Sequence, residues 1–151
     1  MNTGKVCIRN VISAAKDMGI LEAAKLMRLH HVGCLVVVTR DEDGPRPIGI
    51  ITDRDIVIEV LAEEVPLDTV TVEDVMTRLP LIARENDDLF DTIEMMRAKG
   101  VRRIPVTDSL GLLVGILTID DLLKIIYEEM GNVVSLIFRE QISEHKLRSM
   151  A

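Results

Sequence analysis

The sequence predicts a mixed α/β fold that consists of two βαββα repeats with pseudo-two-fold symmetry, followed by a C-terminal helix. The first observation is a duplicated segment: Gly49–Asp55 reads GIITDRD and returns later in the chain as Gly115–Asp121, which reads GILTIDD. The second is that Ile20–Met27 corresponds to Leu89–Met96 at a slightly larger offset. The third is that apolar periodicities follow in the same order in both halves. A repeat of this length indicates one supersecondary unit that is used twice.

The elements of each repeat can be read in order from the apolar pattern. A short extended stretch and an amphipathic helix come first, and a β-branched strand, a Gly/Pro/Asp turn, a second strand and a second helix follow. The stretches are Val11–Ala14 and Leu81–Ala83, the first helices are Ile20–His30 and Leu89–Lys99, and the first strands are Val32–Val37 and Val101–Val106. The turn Asp41–Pro47 is longer than the turn around Asp108–Gly111, and insertions of this kind are tolerated in turns.

Residues that can cap backbone N–H groups mark the helix starts. The candidates are Asp17 and either Asp87 or Asp88 for the first helices, and Thr52 or Asp53 and Thr118 for the second helices. Thr71–Asp74 has the spacing of a capping box and predicts one further helical turn ahead of the second repeat.

The order of elements predicts the domain boundaries. We expect a first repeat at residues 5–62, an acidic linker at 63–76, a second repeat at 77–128 and a C-terminal helical extension at 129–151. The extension has an apolar stripe on a charged helix, interrupted only by Gly131. The stripe consists of Val133, Val134, Ile137, Phe138 and Ile142.

Composition excludes several classes of protein. The net charge of −7 opposes general attraction to nucleic acid, and with 2% aromatic residues and no Trp the chain has no stacking platforms for single strands. The apolar runs are shorter than the ~20 residues of a membrane span. The chain has two cysteines, Cys7 and Cys34, and no Cys-x-x-Cys motif. We therefore expect a reduced, cytoplasmic protein with no membrane or nucleic-acid partner.

The motifs together resemble the cystathionine-β-synthase (CBS) domain family, whose members occur as tandem pairs called Bateman modules. The resemblance rests on both Gly-apolar-apolar-Thr-x-x-Asp segments, on Gly100–Val106 and on Val72–Thr77, and it covers residues 5–128. It implies that an adenine nucleotide or another adenosyl compound binds in the clefts where the two repeats meet. It also implies that two modules pair into a homodimer.

The duplicated Thr and Asp residues are the first candidates for ligand contact. The carboxylate of Asp55 or Asp121 can accept two hydrogen bonds from the vicinal hydroxyls of a ribose, and Thr52 or Thr118 offers a hydroxyl nearby. The start of the following helix would add N–H donors for an anionic group. The alternative is that each Thr/Asp pair only caps its helix.

Two consecutive arginines are the second candidates, because an acidic protein that binds phosphate must concentrate positive charge locally. The resemblance implies that Arg102 and Arg103 contact phosphates of a ligand whose ribose is held by Thr52 and Asp55, with Arg54 as a third guanidinium. Ala83 is the remaining residue that the resemblance implies at the ligand site. The first repeat has Gly33 and Cys34 at the arginine positions, so the site on Thr118 and Asp121 lacks these cations. The alternative for the arginines is a solvated strand start.

The sequence contains no recognisable catalytic motif. It has no Ser or Cys nucleophile with a spaced His base, no phosphate-binding Gly-rich loop and no His/Glu metal motif. His30 and His31 are adjacent and do not face one another on a helix, which predicts a helix C-terminus rather than a metal site.

We therefore expect a regulatory module and not an enzyme. It would sense AMP, ADP or ATP as a regulatory ligand, require no cofactor, and signal through its dimer or a partner protein. The alternative is a structural or interaction protein whose nucleotide sites have lapsed, and which acts through its dimer and its C-terminal helix.

Overall fold

A computed structural model describes the backbone of residues 1–78 and 81–149, and the side chains of these residues except 144–149. The chain divides into two units, residues 1–117 and residues 118–151. The predicted extension at 129–151 includes residues 150 and 151, which lie outside the described residues.

The first repeat has the predicted order of elements. They are β1 (Ser13–Ala15), α1 (Ile20–His30), β2 (Cys34–Arg40), β3 (Pro45–Thr52) and α2 (Asp53–Ile56), which continues as a π-helical turn at Val57–Leu61. Strand β1 is parallel to β2, and β2 is antiparallel to β3. Helix α1 buries Ile20, Ala23 and Met27, which recur every three or four residues and so lie on one helical face.

The second repeat uses the same elements. After α3 (Val72–Val75) in the linker and β4 (Thr77–Arg78), they are β5 (Ala83–Arg84), α4 (Leu89–Lys99), β6 (Arg103–Thr107), β7 (Leu113–Thr118) and α5 (Ile119–Ser149). The strands form one sheet in the order β1-β2-β3-β4 and a second in the order β5-β6-β7. The predicted α/β class with a C-terminal helix is confirmed.

The C-terminal helix differs from the prediction in one respect. The sequence predicts a separate helix after the second repeat, whereas α5 is a single helix that begins at Ile119 and passes through Gly131 without a break. One glycine in a helix interior costs only about 1 kcal/mol relative to alanine, and the surrounding Leu, Ile, Glu and Met residues favour the helix.

The two repeats exchange their leading segments. Residues 1–9 pack on the second repeat, where Ile8 pairs with Ile116 through N–H···O bonds of 2.9 and 3.0 Å. Strand β4, which begins the second repeat, pairs with β3 of the first, with Thr77 opposite Ile50. The two pairs are equivalent, because the internal repeat aligns Ile8 with Thr77 and Ile50 with Ile116. Each sheet is therefore extended by the leading segment of the other repeat.

Two glycines allow this exchange. A Cβ atom on Gly49 would lie 2.6 Å from the Met76 sulfur and 3.0 Å from the Thr77 carbonyl oxygen. A Cβ atom on Gly115, the equivalent position, would collide with the Cys7 sulfur. Met76 and Cys7 are themselves equivalent, so in both repeats a sulfur-bearing side chain of the incoming segment occupies the space above a glycine. These glycines are the first residues of the duplicated GIITDRD and GILTIDD segments.

Strand β2 is buried on both faces and joins two apolar clusters. Leu35 and Val37 pack with α1, α2 and the linker residue Val72. Val36 and Val38 point the other way and pack with Ile116 of the second repeat. A strand covered on both faces reads as a continuous apolar run rather than an alternating one, which accounts for the sequence LVVV at this position.

None of the helices in the described part of the chain has the length and apolar character needed to cross a lipid bilayer.

We expect Gly49→Ala to lower the free energy of unfolding by roughly 1–3 kcal/mol, because overpacking would push β4 away from β3. Urea denaturation measures this loss. The control is Gly131→Ala, where a Cβ atom meets nothing within 4 Å and a helix former replaces glycine. Equal stability of the two variants would contradict the close approach at Gly49.

Candidate functional site

A cavity of about 430 Å³ lies where segments of both repeats converge. Four segments contribute to it: the junction of β3 and α2, strand β4, the residue two positions before β5, and the start of β6. The lining residues are Ile50, Thr52, Asp53, Arg54, Thr77, Leu81, Val101, Arg102 and Arg103. Four of the eight residues predicted from the sequence, Thr52, Arg54, Arg102 and Arg103, are brought together here.

The junction of β3 and α2 is held by a capping box. The Asp55 carboxylate accepts the Thr52 N–H at 2.8 Å, and the Thr52 hydroxyl oxygen accepts the Asp55 N–H at 3.2 Å. The Asp53 N–H donates to the Gly33 carbonyl at 3.0 Å, and the Arg54 N–H donates to the Asp53 carboxylate at 2.8 Å. All four backbone donors at this junction are therefore already used. The expectation that the N–H groups at the start of α2 are available to an anionic ligand is wrong.

The positive charge of the cavity comes from its three arginines instead. Arg54 and Arg102 are exposed and Arg103 is half-buried. In the described part of the chain, none of the three guanidinium groups has an ion-pair or hydrogen-bond partner, whereas Arg9, Arg46 and Arg78 each bind a carboxylate. Arg102 and Arg103 are therefore not paired with Glu or Asp among the described residues, but they do stand at a strand start that is partly open to solvent, as the alternative interpretation expects. Three unpaired guanidinium groups at one cavity form an arrangement that suits a phosphate or a carboxylate.

Asp53 is a lining residue that sequence reasoning did not select as a ligand contact. Its carboxylate accepts the Arg54 N–H, and its second oxygen would lie 3.1 Å from a Cβ atom placed on Gly33. Gly33 therefore leaves the space in which this carboxylate sits. The sequence feature that could have indicated this residue is the acidic side chain directly after Thr52, since the second repeat has Ile119 at the equivalent position.

Asp55 and Ala83 occupy different places from the other predicted residues. Asp55 lines an adjoining cavity of about 340 Å³, which it shares with Glu59, Asp74 and Thr77 among others. Only one of its carboxylate oxygens takes part in the capping box. Ala83 is fully buried in β5, where its carbonyl accepts the Thr107 hydroxyl at 3.4 Å, and Leu81 contributes to the cavity instead.

Thr118 and Asp121 form a second capping box at the start of α5. The Asp121 carboxylate accepts both the Thr118 N–H, at 3.0 Å, and the Thr118 hydroxyl, at 2.6 Å. The corresponding hydroxyl of Thr52 makes no such bond to Asp55 among the described contacts, so it keeps its proton for another acceptor. The two copies of the motif thus share a capping role but differ in the hydroxyl group that remains available.

Cys34 lies near the charged groups of the cavity. Burial raises the pKa of its thiol, while the Arg103 guanidinium lowers it and the Asp53 carboxylate raises it by smaller amounts. The Cys34 side chain is half-buried, whereas core residues are fully buried. Among the described side chains, no group of three or more His, Cys, Asp or Glu residues is placed to hold a metal ion.

Comparison with known proteins identifies the family. The model of the CBS domain matches residues 4–62 and 72–128, which together are most of the chain. An uncharacterized protein of Methanopyrus kandleri, MK0525, is 34% identical over 125 residues, which cover 83% of this chain and 62% of that protein. Inosine-5'-monophosphate dehydrogenase of Methanocaldococcus jannaschii is 32% identical over 120 residues, 80% of this chain but 22% of the enzyme. The chain belongs to the CBS domain family, as a pair of CBS domains, and spans less than two thirds of these two relatives.

Solved structures agree with this assignment. The CBS domain pair of protein MJ0100, in complex with 5'-methylthioadenosine and S-adenosyl-L-methionine, has a TM-score of 0.72 at 29% identity and covers 85% of this chain and 98% of that one. Hypoxic Response Protein I, solved with two coordinated zinc ions, has a TM-score of 0.71 at 29% identity and covers 82% of this chain and 98% of its own. The predicted tandem CBS fold is confirmed.

We expect Asp55→Ala and Asp121→Ala to lower the stability of the ligand-free protein by similar amounts, about 1 kcal/mol each, because each removes one half of a capping box. Thermal and urea unfolding measure the effect. Asp55→Asn and Asp121→Asn are the matched conservative variants and should lose less. A negligible loss for both alanine variants would show that the boxes do not stabilise the helix starts.

Proposed function

We propose that this chain is a regulatory module that binds an adenine nucleotide in the cavity between its two CBS repeats. One observation carries the proposal: three arginines without acidic partners and the Thr52 hydroxyl line one cavity formed by both repeats. The complex of MJ0100 with two adenosyl compounds supports the choice of an adenosyl ligand. The role is regulatory rather than catalytic, and no cofactor is required for it.

The arginines favour a phosphorylated ligand. The compounds in the MJ0100 structure carry no phosphate. 5'-Methylthioadenosine is neutral, and S-adenosyl-L-methionine has one carboxylate beside an ammonium and a sulfonium group, so either would leave guanidinium groups of this cavity unpaired. Guanidinium groups form bidentate, charge-assisted hydrogen bonds with phosphate oxygens, which are stronger than bonds between neutral groups. AMP, ADP and ATP are therefore better matched to Arg54, Arg102 and Arg103 than an uncharged adenosyl compound is.

The remaining lining residues suit a nucleoside. Ile50, Leu81 and Val101 give the cavity an apolar wall against which a base can pack. The Thr52 hydroxyl retains a proton to donate, and the Asp55 oxygen outside the capping box can accept a ribose hydroxyl from the adjoining cavity. Ala83 does not line the cavity, and it would affect the ligand only through the position of β5, which follows the lining residue Leu81. Thr118 and Asp121 would form a second, weaker site, because the Thr118 hydroxyl is bound to Asp121 and the arginines have no equivalent there.

A second candidate function has its own supporting observation. Helix α5 has an apolar face that is exposed over about five turns. Its members include Leu123, Ile126, Tyr127, Met130, Val133, Val134, Ile137 and Phe138. An exposed stripe of this size marks an interaction surface. An interaction protein that acts through its dimer and this helix is the alternative, and it would not need a nucleotide.

We expect Arg102→Ala/Arg103→Ala to reduce affinity for AMP or ATP by an order of magnitude or more, while weak binding of adenosine stays nearly unchanged. The reason is that guanidinium groups contribute only where phosphate is present, and a hydrogen bond to a charged group contributes about 1.5–3 kcal/mol. Calorimetric titration with adenosine, AMP and ATP measures the three affinities. Higher salt should weaken nucleotide binding in the wild type by partial screening.

The control for this variant is Arg28→Ala/Arg97→Ala. These two arginines lie at equivalent positions in the last turns of α1 and α4, and removing them changes the net charge by the same amount. The control should retain nucleotide affinity. If the Arg102/Arg103 variant also retains it, the phosphate does not bind in this cavity. If it loses adenosine and nucleotide equally, the cause is structural damage.

We also propose that the protein is a homodimer in which the apolar faces of two α5 helices are covered. At least eight apolar side chains of each chain, most of them about half exposed or more, would supply an area comparable to the ~800 Å² per partner of a standard interface. Sedimentation velocity should show a dimer at micromolar concentration, and Ile137→Glu/Phe138→Lys should dissociate it. A wild-type monomer at tens of micromolar, with and without nucleotide, would contradict the dimer.

A further inference from the structure

We propose that Asp53 is a specificity-determining residue that makes the cavity select a nucleoside monophosphate over the di- and triphosphate. The inference rests on the proposed function and adds to it how many phosphate groups the ligand carries. It concerns a carboxylate that neither the sequence motif nor the comparisons single out.

The first step is the charge that the cavity presents. Its charged lining groups are the guanidinium groups of Arg54, Arg102 and Arg103 and the carboxylate of Asp53, which give a net charge of +2. A phosphate monoester carries between one and two negative charges at neutral pH. The monophosphate therefore balances the cavity, whereas each further phosphate adds a negative charge that the lining does not compensate.

The second step is that the Asp53 carboxylate forms no ion pair with the arginines in the described part of the chain. No ion pair joins Asp53 to Arg54, Arg102 or Arg103 among the described contacts, and its hydrogen-bond donor is the backbone N–H of Arg54. The same residue is fixed at its own N–H by the Gly33 carbonyl, at 3.0 Å. The carboxylate is therefore held at the wall by a backbone N–H, and no guanidinium group covers it among the described contacts.

The third step is that phosphates bound in the cavity lie close to this carboxylate. A cavity of about 430 Å³ has the volume of a sphere about 9 Å across, which is comparable to the Debye length of ~10 Å at 0.1 M salt. A second or third phosphate inside it therefore remains within the field of Asp53, which salt screens only in part. Because Asp53 is exposed, its repulsion of all the charges of ATP together corresponds to about tenfold in affinity, and its repulsion of the charges of AMP, about half as many, to about threefold.

The first repeat is built to accommodate Asp53. Gly33 stands where the second repeat has Arg102, and a side chain at Gly33 would approach the Asp53 carboxylate oxygen to 3.1 Å. The residue equivalent to Asp53 is Ile119, so the second repeat has the reverse combination of a cation and an apolar side chain. The residue after the motif threonine is thus acidic only in the first repeat, and it brings a carboxylate to this cavity.

The test compares the wild type with Asp53→Asn, which keeps the shape and removes the charge. Calorimetry is run with AMP, ADP and ATP, and with inorganic phosphate and tripolyphosphate as probes that lack the nucleoside. We expect the wild type to bind AMP more tightly than ATP, and Asp53→Asn to raise ATP affinity about tenfold while raising AMP affinity no more than about threefold. The preference for phosphate over tripolyphosphate should shrink in the same way.

The control is Asp68→Asn, an exposed linker position that does not line this cavity and changes the net charge of the protein equally. It should leave the ratio of AMP to ATP affinity unchanged. An equal effect of Asp53→Asn on AMP and ATP, or wild-type preference for ATP, would overturn the role of Asp53. If nucleotides fail to bind but the phosphate probes show the expected shift, the proposed adenosyl function is wrong and the charge selection stands. If neither series binds, both are wrong.

Discussion

The exchange of leading segments between the repeats is the constraint on which the rest of the structure depends. A βαββα repeat leaves one edge of its sheet unpaired, and each edge here is covered by the leading segment of the other repeat, through Ile8 with Ile116 and Thr77 with Ile50. The antiparallel pair approaches so closely that Gly49 and Gly115 have no space for a side chain. Because Thr77 and Ile50 also line the cavity, the contact that holds the repeats together also forms a wall of the candidate site.

The chemistry of the cavity follows from which groups the local structure has already used. The backbone N–H groups at the start of α2 are bound to Asp55, Thr52, Gly33 and Asp53, so the cavity cannot attract an anion through them. The guanidinium groups of the arginines are left for this purpose, and they come from both repeats. A capping interpretation and a ligand interpretation of the Thr/Asp motif are therefore not exclusive: the cap fixes the junction, and side chains beside it present the charge.

The sequence predicted what depends on periodicity and on short spacing. The internal repeat predicted the order of elements, the Thr/Asp spacing predicted the caps at Thr52 and Thr118, and the matched motifs brought Thr52 to the same cavity as Arg102 and Arg103. It could not predict contacts that link distant positions, such as the buried hydrogen bond of 2.8 Å between the hydroxyls of Thr3 and Thr92. Nor could it show that Asp53 faces the cavity while Asp55 faces its neighbour, because both carboxylates stand within three residues of Thr52 and only the backbone direction distinguishes them.

The composite origin of the cavity explains how binding could act on the rest of the protein. Its lining comes from both repeats, and a ligand that bridges Thr52 and Arg102 binds best when the two repeats keep one relative position. A ligand shifts a conformational equilibrium only by its difference in affinity for the two states. Here that difference would arise from the guanidinium groups, since a change in repeat packing moves Arg102 and Arg103 relative to Thr52. The ties that resist such a change are the exchanged strands and Arg46, whose guanidinium binds the Asp41 carboxylate and the Leu110 carbonyl in the turn of the second repeat. A signal from this module would therefore pass through the packing between repeats rather than through a movement within one of them.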